Sequence, residues 1–467
     1  MRNSILICMK AQNKTLYVLF LSSVAAIGGF LFGYDSAVIN GTVSALQQAF
    51  KSSAATSGFS VASMLLGCAV GAFFAGNLAD RFGRKPVMLL TGVLFIVSAI
   101  GSGISTGVPE FIVYRLIGGL AVGAASVLAP TYIAEVAPSG IRGRLASLQQ
   151  LAIVVGIFSA FLINYAIASI AGGAAHEFLA GFPAWRWMFW CEGVPAIVFV
   201  ALVFCIPESP RYLIAAHKED PARIVLSKIY AEDSVEPLVV EIKNSLRQDR
   251  KPRLTDIFSN GRVLPIVWVG IFLSIFQQFV GINVVFYYGA VLWQAAGFSE
   301  NNALLINVLS GTVNVISTLV AIAFIDKLGR KPLLLLGSIG MSITLCVLTV
   351  LFMVSVKHGV IQMTPPSAIA ALIAAHLYIF CFGVSWGPTV WVLLGEMFNN
   401  RIRGAAISVS ASAQWIANFA ITMTFPILLT GGLFSAYGLY TLFAVLSIVF
   451  VVVFVKETKG KRLEEME

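Results

Sequence analysis

Apolar residues in this chain come in long unbroken runs, and polar residues collect in the gaps between them. A helix that crosses a bilayer needs about 20 predominantly apolar residues. Twelve stretches meet that requirement: 16–38, 59–79, 87–106, 111–133, 146–170, 185–206, 263–294, 303–325, 333–356, 369–395, 405–428 and 433–455. The runs do not alternate between apolar and polar positions, as the strands of a membrane barrel would. The pattern predicts an all-α membrane protein with twelve transmembrane helices. One longer polar segment, 207–262, separates the sixth run from the seventh. It predicts a cytoplasmic linker with short amphipathic helices over Pro221–Ala231 and Glu236–Asp249. The linker divides the chain into an N-terminal six-helix bundle, 1–206, and a C-terminal six-helix bundle with a cytoplasmic tail, 263–467.

Composition agrees with this reading and narrows it. Of the 467 residues, 58% are apolar and only 11% are charged. A soluble domain carries about 25% charged residues, so an ordinary soluble enzyme and a disordered chain are both excluded. The net charge of +9 does not point to nucleic acid, because the basic residues follow the membrane topology. With both termini in the cytoplasm, 27 of the 31 Lys and Arg fall in cytoplasmic segments, as the positive-inside rule requires. The implied location is the cell (inner) membrane, with multiple passes through the bilayer. The six cysteines form no CxxC pair and the four histidines have no metal-ligand spacing. Neither a phosphate-binding GxxxxGK[ST] loop nor an HExxH motif is present. An enzyme, a metal site and a bound cofactor are therefore not expected.

The two halves repeat each other. Asp80-Arg81-Phe82-Gly83-Arg84-Lys85 follows the second run, and Asp326-Lys327-Leu328-Gly329-Arg330-Lys331 follows the eighth. Glu135 and Arg142 follow the fourth run, and Glu396 and Arg403 follow the tenth. Pro207-Glu208-Ser209-Pro210-Arg211 closes the sixth, and Lys456-Glu457-Thr458-Lys459-Gly460 closes the twelfth. Parallel repeats of six helices suit an alternating-access transporter. These motifs, together with Gln277-Gln278-Phe279-Val280-Gly281-Ile282-Asn283, resemble the sugar porter family of the major facilitator superfamily. The resemblance covers nearly the whole chain and is strongest to bacterial glucose– and xylose–proton symporters. The family's last motif usually begins with proline, where this chain has Lys456.

Asp80, Arg81, Arg84, Glu135, Arg142, Glu208 and Arg211 in the first half, and Asp326, Arg330, Glu396, Arg403 and Glu457 in the second, cluster at cytoplasmic helix ends. Their paired repetition and the resemblance favour a cytoplasmic gate, with ion pairs across the mouths of the two bundles. The alternative is topology signalling and solvated helix ends.

Three charges stand inside apolar runs: Asp35, Arg115 and Glu192. A charge in hydrocarbon costs several kcal/mol unless it is paired or hydrated, which makes it a functional candidate. Asp35 comes late in the first run and Arg115 early in the fourth, so both fall at similar depth in the outer half of the membrane. A carboxylate that a guanidinium approaches and leaves can take and release a proton. A static buried pair is the alternative. Proton-coupled members of the resembling family carry an aspartate at this position, where facilitative members are neutral.

A sugar site needs amides that donate and accept, and aromatic faces for the ring. Gln277, Gln278, Asn283, Asn314, Trp391, Gln414, Trp415 and Asn418 concentrate in four runs of the second half. The resemblance places these around the sugar, with Gln150 opposite and Phe32 on the floor near Asp35. Gly281 is expected to let the seventh span bend, and Gly387-Pro388 to break the tenth. Asn307 is expected only to hold helices together. The expected activity is import of a monosaccharide, D-glucose or a similar hexose, with a proton as coupling ion and no other cofactor. A facilitative uniporter and a xylose or inositol symporter are the alternatives. The expected partners are the sugar and the lipid bilayer, with the protein working as a monomer.

Overall fold

Every predicted run becomes a membrane-length helix or a broken pair of helices. The structure is a computed structural model. It describes residues 2–138, 141–248, 254–259, 261–357, 360–398 and 402–459, with side chains from residue 14 onward except at positions 247, 248, 254, 259, 326, 357 and 360. Among the described residues the spans, numbered 1 to 12 in chain order, are Lys14–Gly41, Ala54–Phe82, Arg84–Ile104, Val108–Val136, Arg142–Ala171, Ala184–Cys205, Pro265–Ala295, Glu300–Ile325, Arg330–Val354, Pro365–Glu396, Arg403–Thr430 and Leu433–Phe454. Side chains such as Phe73, Phe74, Ile170 and Val453 point outward and exposed, which is stable only against lipid. Polar starts fix several span ends. Ser53, Ser299 and Thr364 each accept the amide N–H three residues on, satisfying a donor that the first helical turn leaves free.

Three spans are broken, each for a local reason. Span 7 divides into Pro265–Phe279 and Ile282–Ala295. Gly281 between them has φ +86°, a conformation costly for any residue with a Cβ. Span 10 divides into Pro365–Val384 and Trp386–Glu396. The break falls at Ser385, two residues before the expected Gly387, because Pro388 fits the first turn of a new helix but not a helix interior. Span 6 divides into Ala184–Trp190 and Gly193–Cys205, with Pro195 in the first turn of the second part. That break was not expected, and it carries Glu192.

Within the first half, span 2 packs on span 4 and span 1 on span 5; in the second, span 9 packs on spans 10 and 12, and span 7 on span 11. The halves meet through spans 2 and 11 and through spans 5 and 8. Segment 207–262 forms helices Pro210–Ala215, Glu219–Ile229 and Glu232–Gln248. The last two start before the expected positions, because acidic residues in the first turn favour helix initiation. The Lys14 ammonium donates to the carbonyls of Ser227 (2.9 Å) and Tyr230, capping Glu219–Ile229 at its negative end. Three two-stranded hairpins, 177–183, 258–263 and 356–361, are the only strands among the described residues.

Candidate functional site

Asp35 and Arg115 come together, as their common depth predicted, and Glu192 joins them. Asp35 is 0% and Arg115 1% exposed. Arg115 Nη1 donates to Asp35 Oδ1. Its Nη2 donates to the Asp35 carbonyl at 3.2 Å and reaches Met64 Sδ at 2.7 Å. The guanidinium lies 5.9 Å over the ring of Phe189. Glu192, 0% exposed, is within electrostatic reach of both charges. Its two carboxylate oxygens and Asp35 Oδ2 have no hydrogen-bond partner among the described residues. One cation thus faces two carboxylates in a dry interior, and a proton on either acid makes the cluster neutral. Arg186, at the start of span 6, donates to the Gly103 carbonyl and lies over the ring of Trp185.

The amides of the second half form a chain across the break of span 7. Gln277 Nε2 donates to the carbonyls of Trp386 (2.9 Å) and Gly387 (3.3 Å), where span 10 is also broken. Gln278 Nε2 donates to Gln277 Oε1 at 3.2 Å, and Asn283 Nδ2 to Gln278 Oε1 at 2.5 Å. Asn418 Nδ2 donates to the Tyr287 hydroxyl at 3.5 Å, and Asn418 Oδ1 accepts from Thr422. Asn314 is buried beside Gly383. Gln414 keeps a buried Oε1 without a partner among the described residues. Trp415 faces Phe32 of the first half at 6.3 Å between ring centroids. Trp391 is not enclosed with them but 43% exposed. The buried indole of span 10 is Trp386, anchored to the Leu334 carbonyl and Ser338 Oγ. Gln150 is half-buried. Sequence reading passed over its neighbour Gln149, whose two amide atoms are buried with no partner among the described residues. Adjacent glutamines point to different sides of a helix, and only the fold decides which faces in.

The loop motifs pair differently from the expectation. Arg84 binds Glu135 through two N–H groups, both at 2.9 Å, and Asp80 at 3.1 Å. Arg330 binds Glu396 the same way, at 3.0 and 2.8 Å. Glu208 accepts the backbone N–H of Arg84 (2.9 Å) and Lys85 (3.1 Å); Glu457 accepts those of Arg330 and Lys331, both at 3.0 Å. These pairs join helices within one half, not the mouths of two bundles, because each arginine opens a helix that packs beside its own partner's span. Arg81 lies exposed over Phe82, and Arg142 is exposed and donates to the Ala137 carbonyl at 3.4 Å. Arg403 keeps Nε and Nη2 buried without a partner among the described residues. Arg211 is half-buried. The side chain of Asp326 lies outside the described residues.

The halves themselves are joined at the face opposite these motifs. Asn40 of span 1 donates to the Phe286 carbonyl (2.8 Å) and accepts from Ala290 N–H (3.0 Å) and Asn307 Nδ2 (2.8 Å). Ser169 donates to Asn301 at 2.6 Å, and Glu300 accepts the N–H of Ala174 at 2.9 Å. The rings of Phe161 and Phe286 meet there as well. This face is sealed above the amide chain and the charged cluster.

A polytopic helical chain with repeated halves, a buried proton-competent cluster and a polar centre is comparable with known transport proteins. The family model described as "Sugar (and other) transporter" matches residues 21–467. A glucose transport protein of Synechocystis sp. is 56% identical over 96% of this chain and 97% of its own length. A D-xylose-proton symporter of Escherichia coli is 40% identical over 98% of this chain and 97% of its own. A solved structure of the xylose transporter XylE from E. coli, in an inward open conformation, matches with a TM-score of 0.82 at 38% identity, covering 96% of this chain and 99% of that one. The chain is a multi-pass membrane protein that belongs to the sugar transporter family of the major facilitator superfamily.

Proposed function

We propose that the protein is a secondary active transporter that imports a hexose, D-glucose foremost, together with a proton. The observation that carries this reading is the buried Asp35–Arg115 pair, with Glu192 beside it and Tyr287 of span 7 within electrostatic reach. The proton is the coupling ion, and no other cofactor is needed. A proton on Asp35 frees Arg115 to turn to Glu192 and leaves a neutral cluster that tolerates a dry interior. The sugar hydroxyls replace the bonds that Gln277, Gln278 and Asn283 make to one another, so an empty site keeps its amides satisfied. The basic face is cytoplasmic, as is each terminus. The seal at the opposite face then makes this the inward-facing conformation, and the alternating access is performed by one monomer in the cell membrane. The 56% identical relative, named for glucose, supports the hexose. The xylose relative supports a pentose as second reading.

Labelled sugar uptake into proteoliposomes, with and without an inward proton gradient, tests this. Accumulation above equilibrium that a protonophore abolishes supports symport. Asp35→Asn should lose accumulation and keep sugar exchange. Equilibration by the unaltered protein that ignores the gradient overturns coupling. Competition by unlabelled glucose and xylose decides between the sugars.

A further inference from the structure

The geometry points to a hydroxyl ladder on span 3, Ser98, Ser102 and Ser105, as the route by which a proton reaches Asp35 from the outer face. The inference rests on the coupling role proposed for Asp35. Ser98 is 1% exposed, and Ser102 and Ser105 are 0%. At 3.6 residues per turn, positions 98, 102 and 105 share one face of a helix. The neighbours of Ser102 show where that face points. A Cβ on Gly101 would strike Tyr114 of span 4, and one on Gly103 would strike Trp190 of span 6. Ser102 therefore faces between spans 4 and 6, into the interior that holds Arg115 and Glu192. Its Oγ is buried with no partner among the described residues.

The inner end of the ladder meets the acid. Ser98 Oγ and Asp35 Oδ2 both lie within 2.6 Å of the point where a Cβ of Gly118 would stand, so one small gap separates them. Asp35 Oδ2 is the carboxylate oxygen that Arg115 leaves free. At the outer end, Ser105 adjoins the exposed Thr106, whose N–H and hydroxyl donate to the exposed Glu110 carboxylate at 2.8 and 3.0 Å. The charge of this exposed carboxylate draws hydronium from the surrounding water to the outer end of the ladder.

In the present conformation the ladder is off. The Ser98 proton is donated to the Tyr114 carbonyl (3.0 Å) and that of Ser105 to the Ser102 carbonyl (2.7 Å), while Arg115 clamps Asp35. It conducts once Arg115 withdraws and the serines turn to water. Each hydroxyl accepts a proton on a lone pair and passes its own inward. A hydronium outside loses one proton, the Asp35 carboxylate gains one, and each serine ends as it began. Besides Arg115, the titratable groups facing Asp35 are Glu192, Cys68 and Tyr287, and Tyr34 lies beside Glu192. None of these forms a second chain to the outer face among the described residues.

Proteoliposomes with the full-length protein test the route by two readouts. Sugar exchange at equal pH needs no net proton transfer and reads folding and sugar binding. Accumulation under an inward proton gradient reads proton delivery. In Ser98→Ala/Ser102→Ala the initial rate of accumulation should fall about tenfold while exchange stays within about twofold of the unaltered protein. Ser102→Val, which also fills the space a water would take, should fall at least as far, and Ser102→Thr, which keeps the hydroxyl, should accumulate normally. Normal accumulation by the double-alanine variant overturns the ladder. Failure of the unaltered protein to accumulate instead overturns coupling at Asp35, and the ladder with it.

Discussion

Asn307 Nδ2 donates to Asn40 Oδ1 at 2.8 Å, and the two residues belong to opposite halves of the chain. Asn40 makes two further bonds to span 7, so one 1% exposed side chain holds three partners across the seam. A buried amide is stable only while its partners stay in place. Asn40→Ala leaves three groups unsatisfied in the sealed state, whereas water can hydrate them once the seam opens. At a net worth of about 1 kcal/mol per bond, the balance should move about tenfold or more toward the outward-open form. A cysteine placed at Phe161, in a cysteine-depleted protein, should then react faster with an impermeant maleimide. An unchanged rate argues against the seal.

Arg84 and Arg330 each hold a carboxylate by two N–H groups within one half. A lysine cannot reproduce that fork. Arg84→Ala and Arg84→Lys should both lower uptake by about an order of magnitude while membrane insertion and expression remain normal. Uptake near the normal rate in Arg84→Lys would show that charge alone suffices.

Glu457 has a pH signature. Burial works against its charge, but the backbone N–H groups of Lys459, Arg330, Lys331 and Thr458 outweigh it and hold the carboxyl below the ordinary glutamate range. A lowered pKa in the folded state stabilises the protein above the unfolded value, and the contribution is lost as pH falls through the folded value. The stability gap between the unaltered protein and Glu457→Gln should therefore be constant above about pH 5 and close below about pH 4. Thermal unfolding of detergent-purified protein across that range measures it.

The amide chain predicts a division of labour. Gln277 ties the break of span 7 to that of span 10, while Asn283 bonds only to Gln278 among the described residues. Asn283→Ala should raise the half-saturating sugar concentration several-fold, by about the 1–2 kcal/mol of a hydrogen bond to a neutral group, with the maximal rate little changed. Gln277→Ala should lower the maximal rate too, because it also unties two spans. Concentration series of sugar exchange separate the two effects.

Gly118 guards the charged cluster. A Cβ there would press on Ser98 Oγ and stand 2.6 Å from Asp35 Oδ2. Gly118→Ala should disturb the Asp35–Arg115 pair and reduce gradient-driven accumulation more than sugar exchange. Equal losses in both readouts would mean a general packing defect.

Much of this was legible in the sequence. Lipid cannot satisfy backbone polar groups, so a spanning segment has to be a long apolar helix, and such runs stand out. Scarcity of charge made Asp35, Arg115 and Glu192 visible, and the positions of Asp35 and Arg115 along their runs gave those two a common depth. The break at Gly281 was readable because few other residues adopt its backbone angles. Gln149 was not readable, since neither periodicity nor composition says which of two adjacent amides turns inward. The partners of Arg84 and Arg330 were not readable either. A repeated motif shows that two halves do the same thing, not whether each pairs with itself or with the other.

The sequence by itself determined the membrane class, the twelve spans, the repeat and the candidate charges, because these follow from local hydrophobicity and from the cost of charge in lipid. Tertiary structure alone decided the partners: Asn40 with Asn307, Arg84 with Glu135, Ser98 beside Asp35. Those contacts join residues 51 to 267 positions apart. They depend on helix rotation and crossing, which side-chain packing sets and a single chain of letters does not record.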